Sequence, residues 1–405
     1  MTIKTSTWVF LIYLSFALDS ALKLGGTVQL HIGIACAILT NLLVLTKRPS
    51  SLITPLRRES TLFLFIFYSL AAGAIMFQPG YINITIYLLV TINIIIFANI
   101  TYKYTTRNFF YYFQVFMIVT GLIQYGLYKF GGMQLSFINE EHYEKGYSVS
   151  FRLRGFFIEP NWYAISLSFN TLLLTGSNIM GFIKRSPYVA AATALVMVLN
   201  GSLTTIGILA VIYSIPIIKK NPLKGTLYSA LALSVLISVL SYRSAINQDK
   251  SNDTLLNYAS RWIPFTRVIE YQSNQDISAI LFGHGLGSWG TTAVNNRLSA
   301  LVYEEDPAAR DGSEIPVFIF ELGLFGLALL LIDFIVTYLR TPSQHIHIRG
   351  GLILFIICLA FYPTLKFWMY MPYYFFLRRA RYESTLAHST ISRGYKNHTL
   401  LQKAQ

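Results

Sequence analysis

Two cysteines in 405 residues leave no material for a disulfide framework, and both, Cys36 and Cys358, fall inside apolar runs. Charge is scarce as well: only 12% of the chain is charged, where soluble domains carry about a quarter. Acidic residues are the scarcer sign, 18 against 32 basic. No HExxH, no Asp-x-Asp and no cluster of His and carboxylates at helical spacing occurs, so no metal-ligand set is visible. The first apolar run, 7–24, follows a lysine but shows no convincing small-residue cleavage site, and reads as a retained span rather than a signal peptide.

What is present is apolar. Hydrophobic residues make up 54% of the chain, with 29 Phe and 27 Tyr, and apolar runs recur along nearly its whole length. Such runs suit membrane spans of about 20 residues. Lipid offers the backbone no hydrogen bonds, which leaves helices or a closed barrel, and runs that are continuous rather than alternating select helices. The fold class expected is an all-α polytopic membrane protein. Spans are expected at 7–24, 28–46, 61–77, 81–100, 109–130, 158–176, 187–200, 204–218, 225–241 and 315–339. The last apolar stretch, 350–377, is either one tilted span or a hairpin turning near Pro363.

Charge decides between these two. Lys4, the connections 47–60, 101–108, 176–187, 219–224 and 340–349, and the tail 378–405 hold 20 basic residues, opposed only by Glu59 and Glu383. The alternate segments, 131–160 and 242–314, hold 9 basic and 13 acidic residues. Lys and Arg accumulate on the cytoplasmic side, so the net charge of +14 is a topology signal and not a nucleic-acid surface. Both termini come out cytoplasmic, which requires an even number of spans and selects the hairpin and about 12 spans. The domain division is then a transmembrane domain, 1–377, carrying outer loops 131–160 and 242–314, and a basic cytoplasmic tail, 378–405. The loop between spans 9 and 10 far exceeds ordinary connection lengths and reads as a folded, functional cap.

Chemistry-bearing residues concentrate in those outer segments. In "RLRGFFIEPNWYA" two guanidiniums, Arg152 and Arg154, fall on one side of an extended chain, a pattern suited to phosphate or pyrophosphate. They are otherwise two snorkelling anchors. Pro160 suits a first helical turn, so Glu159 either caps that helix or orients an arginine or acts in catalysis, with Asn161 beside it. "SRWIPFTRVIE" supplies Arg261 and Arg267 among aromatics; an amphipathic helix on the bilayer surface also explains this pattern. On a helix the two arginines diverge, and Arg261 is favoured to point into a site. "LFGHGLGSWG" matches a dinucleotide fingerprint literally at 285–290, but no βαβ unit surrounds it. Its glycines, Gly285 and Gly287 among them, suit close backbone approach to a ligand or a tight re-entrant turn. His284 is a candidate base or phosphate-side donor, or else a satisfied polar residue of the loop, and Trp289 and Tyr303 add aromatic faces to the folded cap. Glu314 stands at the mouth of the tenth span. Glu321 and Asp333 lie inside it, where carboxylates face protein or water. Asp19 and Lys23 have the i to i+4 spacing of a helical ion pair.

In the order and spacing of these motifs, with "FELGLFGL" opening a late span, the chain resembles the O-antigen ligase and polymerase family of bacterial envelope enzymes. The resemblance implies a GT-C-like, metal-independent glycosyltransferase without cofactor in the inner membrane, its active site facing the periplasm. Its donor and acceptor would be oligosaccharides on undecaprenyl pyrophosphate, with membrane lipid, a flippase and a chain-length regulator as further partners and no nucleic acid. It assigns the pyrophosphate to Arg154 and Arg261, with Arg152 next, and leaves the base among Glu159, His284 and Glu314. Substrate contacts would include Asn161, Arg267, Gly285, Gly287, Trp289 and Tyr303. Ligases of the family carry a His-Asn pair where the tenth span begins; here Gly312-Ser313-Glu314 stands there, which favours a polymerase over the alternative, transfer to lipid A core. A transporter or flippase of lipid-linked sugars is the alternative from another class, but no half-to-half repeat is visible.

The charge split makes a direct prediction. In a cysteine-free background, single cysteines replacing Asn252 and His388 should react with an impermeant maleimide from opposite sides of the membrane. Labelling of both from outside would remove the hairpin.

Overall fold

The computed structural model describes residues 4–18, 22–24, 30–133, 152–157, 159–221, 251–299, 312–362 and 368–382, with 223, 234, 302, 304–307, 309–310 and 364–365. They are mostly helical. The first half holds α1 (Thr5–Ser15), α2 (Ile32–Lys47), α3 (Ile53–Arg58), α4 (Ser60–Ile75), α5 (Tyr81–Thr101) and α6 (Arg107–Gly131). Then follow α7 (Pro160–Thr175), α8 (Ile179–Arg185), α9 (Pro187–Asn200) and α10 (Leu203–Lys220). The last part holds α11 (Ser251–Ser273), α12 (Ile277–Phe282), α13 (Glu314–Arg340), α14 (Ile346–Phe361) and α15 (371–382). Local chemistry sets many boundaries. Thr106 caps α6 by accepting from Phe109 N, and Gly132 ends it in a left-handed conformation. Proline opens α7 and α9, where its missing N–H leaves nothing unpaired.

Among the described residues three helical stretches are long and apolar enough to cross a membrane: Tyr81–Tyr104, Arg107–Gly131 and Glu314–Arg340. Two sharply bent pairs, Pro49–Arg58 with Ser60–Ile75 and Ile179–Arg185 with Pro187–Asn200, raise the number to five if each is one span. The expected first span, 7–24, is corrected. Its helix stops at Ser15, whose hydroxyl bonds back to Ile12 O, and Lys23–Leu24 instead forms a short strand (β1) antiparallel to Leu30–His31 (β2). Lys23 is therefore not on a helix, and Asp19 lies outside the described residues. So do the expected span 225–241 apart from 234, most of 131–160 and the tail from 383.

The 350–377 stretch folds back on itself. The ring of Phe355 stacks on that of Tyr374 with centroids 3.8 Å apart, and Gly351 lies against Leu377, so α14 and α15 run antiparallel. In mid-bundle a polar network ties four helices together. Gln114 Nε2 donates to Thr171 and Thr193, Asn170 Nδ2 donates to Gln114 Oε1 and Phe110 O, and Tyr13 donates to Asn170 Oδ1. Away from water, side-chain bonds of this kind hold helices in register.

The two ends of the bundle differ in charge chemistry. At one end Arg378 of α15 donates to Glu59, ahead of α4, and forms paired bonds of 2.5 and 2.7 Å to Asp333 of α13. Arg381 reaches Glu59 and the Arg58 carbonyl, while Thr61 donates to Asp333 at 2.6 Å. All of these carboxylates and guanidiniums are buried. The opposite end carries 152–157, 159–160, 200–202, the 76–80 turn, 283–290, 306–307, 309–310 and 312–314. Removing one partner of a buried ion pair strands the other, at a cost of about 3–5 kcal/mol. Arg378→Ala should therefore lower the thermal unfolding midpoint of the purified protein markedly, and Thr61→Ala only slightly. An unchanged midpoint for Arg378→Ala would show that the cluster does not hold the bundle.

Candidate functional site

The two-arginine segment is held by its main chain. Asn200, at the C-terminal end of α9, donates both Nδ2 hydrogens, to Leu153 O at 2.6 Å and Pro160 O at 2.7 Å, and its Oδ1 accepts from Ser202 N. Gln124 of α6 accepts from Arg154 N at 3.0 Å. Arg152 is fixed through its side chain: Nε donates to Asn200 O at 2.7 Å and Nη2 to Asn161 Oδ1 at 3.0 Å. Past Arg154 the chain turns, with Phe157 N bonded to Arg154 O, and Arg154 itself is buried. Glu159 occupies the N-cap position of α7 without making the capping bond through its side chain, and stays partly exposed.

A second constellation sits where α13 is broken. Gly323 has φ +66° and ψ −171°, which interrupts the helix after Leu322. A helix end leaves four carbonyls without intrahelical partners. Here each finds a donor from another element: Ile319 O from Gln272 Nε2, Phe320 O from His284 N, Glu321 O from Gly285 N and Leu322 O from the Tyr68 hydroxyl. The fit requires glycine on both sides. A Cβ on Gly323 would stand 2.3 Å from Leu281 O, and one on Gly283 would stand 2.4 Å from Glu321 O.

The Glu321 side chain completes this joint. Its Oε1 accepts from Gly287 N at 3.0 Å and Trp289 N at 3.3 Å, and its Oε2 accepts from Arg310 at 3.0 Å. Arg310 also pairs with Glu314, whose other oxygen accepts from Leu365 N at 3.4 Å. Arg310, Glu314 and Glu321 are fully enclosed. The cluster fastens the loop 283–290 and the 364–365 turn to the start of α13. That turn also links the two constellations, since Tyr370 just beyond it packs its ring 5.5 Å from Trp162 on α7.

The expected site residues thus fall into distinct settings. Arg152, Arg154, Glu159 and Asn161 lie together at the mouth of α7. Gly285 packs against Met76, Gly287 against the Gly80 main chain, and Trp289 is buried against Phe320, so this loop meets protein on its close sides. His284 stacks on Phe320 with centroids 4.5 Å apart; burial holds its pKa below the ordinary value, which leaves the imidazole uncharged at neutral pH. Arg267 lies on α11, its Nη1 donating to Arg297 O and Ser299 O. The Arg261 side chain and Tyr303 lie outside what is described. Gln124, Asn200 and Arg310 escape sequence reasoning. The one local signal for the first two is an amide inside, or at the end of, an apolar run.

No known protein-family model matches the chain, and no curated protein is significantly similar to it.

Asn200→Ala would strand two buried carbonyls, each worth roughly 1–3 kcal/mol when left without a donor. The segment should then detach, and trypsin should cut the folded variant after Arg152 or Arg154 while sparing the parent. Equal resistance of the two proteins would mean that Asn200 is not the clamp.

Proposed function

We propose that the chain is a bacterial inner-membrane glycosyltransferase that joins undecaprenyl-pyrophosphate-linked repeat units into a surface polysaccharide at the periplasmic face. In this reading it has about 12 spans and both termini in the cytoplasm. The observation that carries the proposal is the arginine pair at the mouth of α7, whose backbone is tied down by Gln124 and Asn200 at the end of the bundle opposite the Arg378 cluster. Guanidiniums placed in advance need no reorganisation when a leaving pyrophosphate gains charge, and a partly dry setting strengthens their effect.

The reaction is a displacement at the anomeric carbon. An acceptor hydroxyl oxygen forms the new glycosidic bond, the bond from the sugar to pyrophosphate breaks, and the pyrophosphate leaves with the electron pair. Arg154 and Arg261 bind that leaving group, and Arg152, aimed by Asn161, supports them. The hydroxyl proton goes to a base. Glu159 is assigned this role: it is partly exposed and lies on the arginine segment, whereas Glu314 is enclosed in the protein. Arg310 faces two carboxylates and is not assigned to the pyrophosphate.

Loss of a charge-assisted contact to the leaving group costs on the order of 3 kcal/mol of transition-state stabilisation, roughly a hundredfold in rate. Arg154→Ala and Arg261→Ala should each collapse long chains to one or a few repeats at normal membrane abundance. Lysine should rescue poorly, because a point charge does not form the two parallel bonds of guanidinium. Glu159→Gln should lower the rate while binding of the lipid-linked donor persists. Wild-type chain lengths in both arginine variants would end the pyrophosphate assignment. Loss of all glycan from the lipid core in cells lacking the protein, with polymer still made, would point to a ligase.

A further inference from the structure

The C-terminal half of α11 has three faces. At 100° per residue, Pro264, Val268 and Gln272 share one side and are buried, Gln272 bonding to α13. About a third of a turn away, Arg267, Glu270, Tyr271 and Asn274 line an open groove of about 370 Å³ together with Asn296, Arg297 and Leu298. The third face carries Trp262, Phe265 and Ile269. The rings of Trp262 and Phe265 touch, yet Trp262 and Ile269 remain 58% and 60% exposed. A helix with one face on the protein needs a single solvent face; this one has two, and only one of them is polar.

Apolar exposure does not stop at the end of α11. On α12, Ile277 is 75% exposed and Leu281 and Phe282 are exposed as well. The Phe282 ring lies 6.1 Å from that of Phe325, on the long apolar helix α13, and Leu324, Phe325 and Leu331 are exposed there too. Apolar surface is therefore exposed on both cap helices, and on α12 it adjoins the outward side of a helix fit to cross a membrane. Exposed apolar surface of this extent marks a contact with lipid or protein. Its adjacency to α13 selects lipid. A tryptophan at the edge, with a polar face turned the other way, is the arrangement of a helix lying in the headgroup–acyl boundary.

We propose that α11 and α12 are embedded in the bilayer leaflet at this end of the bundle, with Trp262, Phe265, Ile269, Ile277, Leu281 and Phe282 in lipid and the groove open to water. This rests on the membrane-embedded part of the reading above and not on its glycan chemistry. The cap is then a strap on the membrane surface rather than a domain standing clear of it.

Nitroxide labels test this on the full chain, in a cysteine-free background reconstituted into phospholipid bilayers. Labels at Ile269, Ile277 and Leu281 should collide more with oxygen than with an aqueous nickel chelate, as should a label at Leu331 on α13. Labels at Glu270 and Asn274 should show the reverse. If 269 and 277 behave like 274 while 331 stays lipid-like, the strap is overturned and the membrane reading stands. If 331 is aqueous too, both fall. Spin–spin broadening at 277 that vanishes on dilution with unlabelled chain would give the face to a second copy and likewise overturn the lipid assignment.

Discussion

A helix that breaks inside an apolar bundle must find partners for four carbonyls that water would otherwise solvate, and most of the arrangement around α13 follows from that requirement. Gln272, His284, Gly285 and Tyr68 supply the donors from three different parts of the chain. Because two of these donors are main-chain amides of one loop, the loop has to come within hydrogen-bonding distance of the break. Gly283 and Gly323 are the residues that allow it. Once the loop is there, Glu321 gathers two more of its amides and fixes its outward course. The break is thus a joint between the bundle and its cap, with all four of its carbonyls partnered, and not a point of weakness.

The same helix carries the two clusters of buried charge. Near its start Glu314 and Glu321 share Arg310; near its other end Asp333 meets Arg378. Both arginines come from segments outside α13, so each cluster fastens a different part of the chain to it. Such pairs add little net stability over apolar packing but make the loss of a partner severe, which favours one arrangement over its near alternatives. Selecting the arrangement matters here, since apolar helices in lipid slide against each other with little penalty.

Long apolar runs were legible in the sequence: the spans expected at 81–100, 109–130 and 315–339 correspond to Tyr81–Thr101, Arg107–Gly131 and Glu314–Arg340. Their length and lack of charge are properties of a local window. The break at Gly323 was not legible, because glycine is common in apolar helices and its consequence depends on a loop some 40 residues earlier. The early stop of α1 was missed for a related reason, since a run of apolar residues gives no warning that a serine will turn back on its own helix. Glu321 and Asp333 stood out as carboxylates inside a span, and both turned out to be enclosed by protein. Their partners did not stand out. Arg310 looked like one more loop residue, and Arg378 counted as the first residue of a basic tail, although α15 continues to 382 with Arg378 and Arg381 inside. At the arginine segment the side chains were legible and the frame was not, because Gln124 and Asn200 act on main-chain atoms far from them in sequence.

The cluster around Arg378 also has a place in time. Glu59 is synthesised 319 residues before the arginine that covers it, and Asp333 is made 45 residues before the same partner. During translation these carboxylates are made ahead of their guanidinium, and the cluster's charge is balanced only when α15 arrives. A chain that stalls short of Arg378 therefore keeps Glu59 and Asp333 without the guanidinium that covers them in the finished fold.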